Sequence, residues 1–213
     1  MTDKDVRRDA VVLAALPHIP FDGWSLEALN RGATDAGLTP ADVDVLFPDG
    51  PRAAVRHWLQ MADRTMIEDL AETDLETLRI RDRIALLVRT RLERWTLHRE
   101  AVRRALALSV LPGHAEDGVR GGYATVDAMW RAAGDRATDY NFYTKRGLLA
   151  AVYTSTLLVW LEDRSEGCAD TWAFLDRRIA DVMNVPKAQA RLKEAVSRLP
   201  NPLNLLRRVR RTV

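Results

Sequence analysis

Apolar residues recur three and four positions apart along almost the whole chain, and no segment alternates with a period of two. The first spacing places apolar side chains on one face of an α-helix, whereas a half-buried β-strand requires the second. The sequence therefore predicts an all-α fold. With 213 residues, the chain is long enough for one sizeable core with appended segments.

Start and stop signals divide the beginning of the chain into three short helices. The first is predicted over residues 5–16. Ser25 and Thr39 stand at N-cap positions of the next two helices, and Pro40 follows Thr39 at the first helical position. A glycine turn separates these two helices. Residues 1–50 are therefore predicted to form a helix-turn-helix-like unit.

Longer helices are predicted beyond this unit, because the apolar stripes become longer. Their ranges are 52–72, 75–97, 100–110, 123–133, a long helix from about residue 139, and 170–183, with a loop over 111–122. A break at 184–186 precedes a basic amphipathic helix that ends at Leu199. We divide the chain into the first unit, a helical body at 51–185 and a basic tail at 186–213.

The stretch from Gly23 to Gly50 resembles the helix-turn-helix of TetR repressors in its length and its apolar positions. The helix that a repressor would place in the DNA major groove exposes Asp42 and Asp44 here. Residues 1–51 carry four basic and nine acidic side chains, a net charge of −5, which opposes contact with phosphates. We predict a TetR-like fold that does not bind nucleic acid. A TetR-type regulator with a hydrophobic effector is the alternative.

Signals for catalysis or for a metal centre are missing from the sequence. The four histidines at positions 18, 57, 98 and 114 lie on separate predicted elements without the i, i+4 spacing of a zinc-binding helix. Phosphate-binding glycine loops and a nucleophile elbow are also absent. Cys168 has no thiol partner, so we interpret it as a small buried residue. We therefore predict a binding protein that is not an enzyme and that needs no cofactor or metal.

No charged residue occurs from Gly147 to Leu161. This run is shorter than the roughly 20 apolar residues that a membrane-spanning helix needs. A helix that is apolar on every side is expected at the centre of a fold, at a dimer interface or along a cavity. The start of the chain shows neither a secretory signal nor a mitochondrial presequence, so we expect a cytoplasmic bacterial protein.

Three aromatic rings and several polar groups meet in "TDYNFYTKR", just before the uncharged run. On a helix, Asp139, Phe142, Tyr143 and Arg146 share one face. Aromatic residues and arginine are enriched at interface hot spots, which favours a partner-binding surface. Alternatively, the two rings pack in a core and Asp139 caps the helix. Composition alone leaves both interpretations open.

The motifs "DYN.YTKR", "LAA.Y..T...WLED" and "DTW.FLDRRI" between Thr138 and Ile179 resemble one family in particular. This is the lipid-binding accessory family of ubiquinone (coenzyme Q) biosynthesis, the ninth COQ protein, and a weaker resemblance covers nearly the whole chain. It implies a TetR-like homodimer without DNA binding. It also implies a protein that holds a prenylated quinone intermediate in an apolar cavity and presents it to a partner hydroxylase.

The resemblance implies two sets of site residues. Those expected to bind the hydroxylase are Met129, Trp130, Asp139, Tyr140, Phe142, Tyr143 and Arg146. Those expected to line the lipid site are Leu148, Leu149, Val152, Tyr153, Leu157 and Trp160, although a tightly packed core would have the same composition. Phenylalanine stands at position 142 where family members often have tryptophan, which keeps a ring and removes an indole donor. Phe142→Ala or Arg146→Glu is expected to weaken hydroxylase binding and to leave the fold and the bound lipid largely intact.

The end of the chain is strongly basic. Residues 187–213 carry eight basic side chains and one acid, a net charge of +7. Apolar residues repeat between the arginines, as in helices that bind anionic membrane surfaces. The residues expected to contact the inner face of the bacterial membrane are Leu192, Val196, Leu199, Leu203, Leu206, Arg207, Arg208, Arg210 and Arg211. A solvated or disordered tail is the alternative, and a scaffold for quinone-synthesis enzymes is a third possible function of the whole chain.

Overall fold

A computed structural model describes residues 2–111, 113, 115–135 and 140–197, and for residues 140–142 and 184–197 it describes the backbone alone. Within these ranges all regular structure is helical, which confirms the predicted all-α fold. The α-helices are α1 Asp3–Ala15, α2 Ile19–Asp22, α3 Leu26–Asp35, α4 Pro40–Leu46, α5 Pro51–Asp69, α6 Ile80–Glu93, α7 Arg99–Ser109, α8 Ala115–Ala132, α9 Tyr140–Glu162 and α10 Ala169–Ser197. Short 3-10 helices lie at Leu75–Thr77, Thr96–His98 and Glu166–Cys168.

The predicted N-caps of α3 and α4 are confirmed. The Ser25 hydroxyl accepts a hydrogen bond from the Ala28 amide at 3.1 Å, and the Thr39 hydroxyl accepts one from the Asp42 amide. The short helix α2 was not predicted. Gly32 allows α3 to pack closely against α1, since a Cβ atom there would lie 2.6 Å from the Ala15 backbone nitrogen.

The helix predicted over 75–97 is interrupted in the structure. A 3-10 turn at Leu75–Thr77 is followed by the extended residues Leu78 and Arg79, and α6 begins at Ile80. Asp74 caps the turn by accepting from the Glu76 amide at 3.0 Å. The Arg83 guanidinium then donates to the carbonyl oxygens of residues 76 and 78, at 2.7 and 2.9 Å. These side chains satisfy backbone groups that a continuous helix would have paired.

The loop predicted over 111–122 is wrong for most of its length, because α8 begins at Ala115. Glycine disfavours helices, and the four glycines in this segment suggested a loop. In the structure Gly118 faces Ser109 of α7, and Gly121 faces Leu59 of α5. A Cβ atom on either glycine would lie 2.9 Å from a side-chain carbon of its neighbour. The glycines therefore serve close helix packing.

The long helix α9 was predicted correctly, and the break predicted at 184–186 is wrong because α10 runs to Ser197. Proline removes one backbone hydrogen bond from a helix, and the good helix formers that follow Pro186 allow α10 to continue. The chain divides into two compact units, Met1–Leu175 and Asp176–Val213. The divisions at residues 50 and 185 stay predictions. Among the helices that the structure describes, none is long and apolar enough to cross a membrane.

Candidate functional site

The start of α9 presents one aromatic side chain of the predicted partner face to solvent. Tyr143 is 70% exposed. Asp139 lies outside the described residues, as do the side chains of Tyr140 and Phe142. Among the described members of this set, Tyr143 is therefore exposed and Trp130 is half-buried.

Arg146 differs from the prediction, because its side chain is 3% exposed and faces α8. Its Nε donates to Asp127 Oδ1 at 2.7 Å, and its Nη1 lies 3.4 Å from Asp135 Oδ2. Both carboxylates are largely buried as well. A buried arginine between two carboxylates is compensated in charge, whereas a buried charge without partners would be very costly.

A second pair of contacts joins the same two helices. Trp130 Nε1 donates to the Lys145 carbonyl at 3.1 Å, and Lys145 Nζ lies 5.6 Å from the Trp130 ring centroid. Lys145 Nζ also pairs with Asp135 at 2.8 Å. Asp127, Trp130, Asp135, Lys145 and Arg146 together form a network that we call the α8–α9 clamp.

Two of the predicted partner contacts are buried within the chain. Met129 is fully buried, because α8 turns this position toward the core, so its side chain cannot lie on a docking surface of the folded chain. Arg146 is likewise inside. Arg146→Glu would add a third carboxylate beside Asp127 and Asp135, so we expect this variant to destabilise the fold rather than to leave it largely intact.

The uncharged run of α9 has one packed side and one exposed side. Of the predicted lipid contacts, Leu149, Val152, Tyr153, Leu157 and Trp160 are buried, and Leu148 is half-buried. The other side exposes Gly147, Ala151, Thr154 and Leu158, the last of which is 51% exposed. Among the described residues, α9 is therefore packed on one side only, which does not fit the centre of the fold, one of the three positions predicted for it.

Tyr153 belongs to a buried polar cluster that the sequence analysis did not anticipate. Its hydroxyl accepts from Arg91 Nη1 at 2.5 Å, and Arg91 Nε donates to Asp63 at 2.8 Å. Thr125 donates to Asp63 at 3.1 Å. Burial raises the pKa of Tyr153, and Arg91 partly opposes this shift. The cluster joins α5, α6, α8 and α9, and the available signal was an arginine inside the apolar stripe of α6.

Two of the four histidines form ion pairs with aspartates, and His114 lies outside the described residues. His57 pairs with Asp9, and His18 pairs with Asp35, each at 2.7 Å. Cys168 is buried, as predicted. In the part of the chain open to description, no three histidine, cysteine or acidic side chains form a group that could hold a metal ion.

The acidic helix α4 also requires a correction. Asp42 was predicted to be exposed, but it is half-buried: its carboxylate accepts from the Thr39 amide at 2.9 Å and pairs with Arg7 at 2.6 Å. These hydrogen bonds lower the pKa of Asp42, with the Thr39 hydroxyl making the largest contribution. Asp44 is exposed, as predicted.

Two of the predicted membrane contacts lie in α10. The backbone of α10 includes Leu192 and Val196, whose side chains lie outside the described part of the chain. The remaining predicted contacts lie outside the described residues altogether: Leu199, Leu203, Leu206, Arg207, Arg208, Arg210 and Arg211.

Comparison with known proteins finds one family. The sequence profile of the COQ9 family matches residues 115–186. The ubiquinone biosynthesis protein COQ9, mitochondrial, of Rattus norvegicus is 34% identical, covering 86% of this chain and 61% of that protein. The Homo sapiens protein of the same name is 32% identical, covering 86% and 59%. The COQ9-B protein of Xenopus laevis is 33% identical, covering 87% and 67%. The chain thus spans about three fifths of the rat and human proteins.

A solved structure matches the fold. The crystal structure of the TetR transcriptional regulator from Nitrosomonas europaea ATCC 19718 aligns with a TM-score of 0.67, covering 83% of this chain and 97% of the regulator. The two sequences are 22% identical, so this likeness shows the fold alone. The predicted TetR-like fold is confirmed.

Proposed function

This chain belongs to the COQ9 family of ubiquinone biosynthesis proteins, and we propose that it serves this pathway as a lipid-binding accessory protein without chemistry of its own. It holds a prenylated quinone intermediate and presents the head group to a partner hydroxylase. Such a carrier is useful because a polyprenyl tail is strongly favoured in the apolar interior of a bilayer, away from a soluble active site.

The observation that carries the proposal is the arrangement of α9. An aromatic, partner-accessible start at Tyr143 leads directly into fifteen residues without charge, Gly147 to Leu161. We place the prenyl chain along this run, where it is lined by Leu148 and the buried side chains of Leu149, Val152 and Leu157. When a lipid enters here, the apolar side chains lose contacts with one another and gain contacts with the prenyl carbons. Little apolar surface of the side chains or of the lipid is therefore exposed to water.

The proposal includes a homodimer and a membrane-binding tail. The exposed side of α9 consists of small and apolar residues, which suits contact with a second copy. The tail, residues 186–213, has the charge and apolar spacing that suit an anionic bilayer, and we propose that it brings the carrier to the membrane.

We propose that the helix-turn-helix-like unit does not bind DNA. Arg7 pairs with Asp42, and Arg31 pairs with Asp22 at 2.9 Å. Arg8 donates to the Leu46 carbonyl at 2.7 Å. Three of the four basic side chains in this acidic unit are therefore engaged within the unit, and phosphate contacts would have to displace them.

Lipid analysis of the purified full-length chain tests the carrier function. We expect mass spectrometry of an organic extract to detect a prenylated aromatic compound. Leu148→Glu should reduce its amount about tenfold, because a charge in an apolar site costs well over 1.4 kcal/mol. Leu97→Glu is the matched control, since Leu97 is 92% exposed and lies outside α9.

Two outcomes would contradict the proposal. One is wild-type protein that carries no lipid, and the other is an equal lipid content in both glutamate variants. Deleting the gene should also cause one quinone intermediate to accumulate, and its structure would identify the hydroxylation step that the protein serves.

A further inference from the structure

Arg146 lies three residues after the exposed Tyr143, yet its guanidinium is buried between carboxylates. We infer that Arg146 is a positioning residue: it does not touch a partner and instead fixes the direction in which Tyr143 projects from the surface. This inference rests on the proposed partner function. It assigns a role to a residue that is buried beneath the partner-binding surface and does not itself form part of that surface.

The first step is the contact between helices. Asp127 lies on α8, and Asp135 follows the end of that helix. Arg146 reaches the first at 2.7 Å and the second at 3.4 Å, so one side chain of α9 is held from two directions. Arginine is suited to this task because its planar guanidinium presents several donors in a fixed geometry.

The second step is that the neighbouring residue is tied to the same partners. Lys145 pairs with Asp135 at 2.8 Å, and its carbonyl accepts from Trp130 at 3.1 Å. Contacts from consecutive residues fix the rotation of a helix about its axis as well as its position. Tyr143 lies about 60° around the helix from Arg146, because a helix has about 3.6 residues per turn. The α8–α9 clamp therefore places Tyr143 at the rim of the buried face, pointing outward.

The third step identifies a control residue that pairs with the same carboxylate but does not hold the two helices together. Arg131 pairs with Asp127 at 2.8 Å from within α8, and its side chain is 74% exposed. It thus binds the same carboxylate as Arg146 without joining α8 to α9. An exposed pair within one helix contributes little to stability. Arg131→Met is therefore the matched control for Arg146→Met.

A measurement on the free full-length protein tests the positioning directly. In hydrogen–deuterium exchange, Arg146→Met should speed exchange of the amides at 144–148 by about tenfold or more, since local opening becomes easier by at least 1.4 kcal/mol. Arg146→Lys keeps the charge and should restore part of the protection. Arg131→Met should leave it unchanged. Equal protection in Arg146→Met and wild type would overturn the inference.

A binding measurement tests the consequence for the partner. The probe is each ubiquinone-pathway hydroxylase of the same organism, immobilised and titrated with the full-length chain. We expect Arg146→Met and Tyr143→Ala each to weaken binding about tenfold, and the double variant to be only about as weak as either single variant, since both changes act through one contact. Single effects that multiply in the double variant would show an independent contact by Arg146 and overturn the inference.

The remaining outcomes are also decisive. If Arg146→Met does not fold, Asp127→Asn replaces it, because it removes one carboxylate charge of the clamp, and the same exchange result is required. If wild-type protein binds none of the hydroxylases, the proposed function fails, whereas the exchange experiment still supports or overturns the positioning of α9.

Discussion

At the scale of single residues, buried polar side chains determine how the helices meet. Asp163 follows the end of α9, and its carboxylate accepts hydrogen bonds from the backbone amides of Ser165 and Thr171, at 2.8 and 2.9 Å. The hydroxyls of both residues also donate to it, at 2.6 and 2.5 Å. Thr171 lies in the first turn of α10, so Asp163 caps that helix.

These hydrogen bonds make the contribution of Asp163 to stability dependent on pH. Burial opposes ionisation, but the hydrogen bonds from Ser165 and Thr171 outweigh it and hold the pKa of Asp163 well below its usual range. When the folded-state pKa is lower than the unfolded one, the stabilisation is complete above the unfolded pKa, here about pH 4, and is lost as the pH falls.

Asp163→Asn should therefore lower the free energy of unfolding by about 1–3 kcal/mol at neutral pH, because its amide nitrogen cannot accept the bonds that a carboxylate oxygen accepted. Denaturant titrations at several pH values would measure the difference from wild type, which should shrink below about pH 4. Glu93→Gln, which removes an exposed pair with Arg89, is the control and should change stability by less than about 1 kcal/mol. A difference that does not depend on pH would contradict the assignment.

At the scale of helices, α8 is an example in which packing against neighbouring helices outweighs the low helix propensity of the local sequence. Its first half contains Gly118, Gly121 and Gly122, which disfavour a helix on their own. Two of them lie at close contacts with α7 and α5, whereas a Cβ atom on Gly122 would meet nothing within 4 Å. Close approach of neighbouring helices therefore explains two of the three glycines.

Replacing single glycines separates these roles. Gly118→Ala should destabilise the protein by about 1–3 kcal/mol, because its methyl group would lie 2.9 Å from Ser109 Cβ and 3.2 Å from the Ser109 carbonyl. Gly122→Ala should stabilise it by about 0.5–1 kcal/mol through helix propensity alone. Thermal unfolding of both variants would compare them. Stabilisation by both would contradict the close contact between α7 and α8.

At the scale of the whole molecule, one side of α9 is exposed within the described part of a single chain. Ala151 and Leu158 lie on this side, next to a well-packed inner side. Contiguous exposed apolar residues commonly mark an interface. A second copy of the chain is the cover that we propose.

Leu158→Glu should convert a dimer into monomers, because it would bring two carboxylates into an apolar contact. Light scattering after size-exclusion chromatography would report the mass. Leu97→Glu changes a leucine that is also exposed but lies outside α9, and it should leave the dimer intact. Wild-type protein that elutes with the mass of one chain would rule out this dimer.

The sequence by itself determined the features that depend on neighbours within a turn or two. The helical period predicted the all-α class, Ser25 and Thr39 predicted two helix starts, and the motifs between 138 and 179 predicted the family. Each of these signals is local, so no long-range partner is needed to interpret it.

Only the tertiary structure decided which polar side chains lie inside. Tyr143 and Arg146 share a helical face in the sequence, but the carboxylate of Asp127, nineteen positions away, draws Arg146 inward and leaves Tyr143 exposed. The structure likewise places Gly118 and Gly121 of the glycine-rich helix α8 against Ser109 and Leu59 of neighbouring helices. Burial of charge and close approach of helices depend on residues far away in the chain, and the local sequence carries no signal for their position.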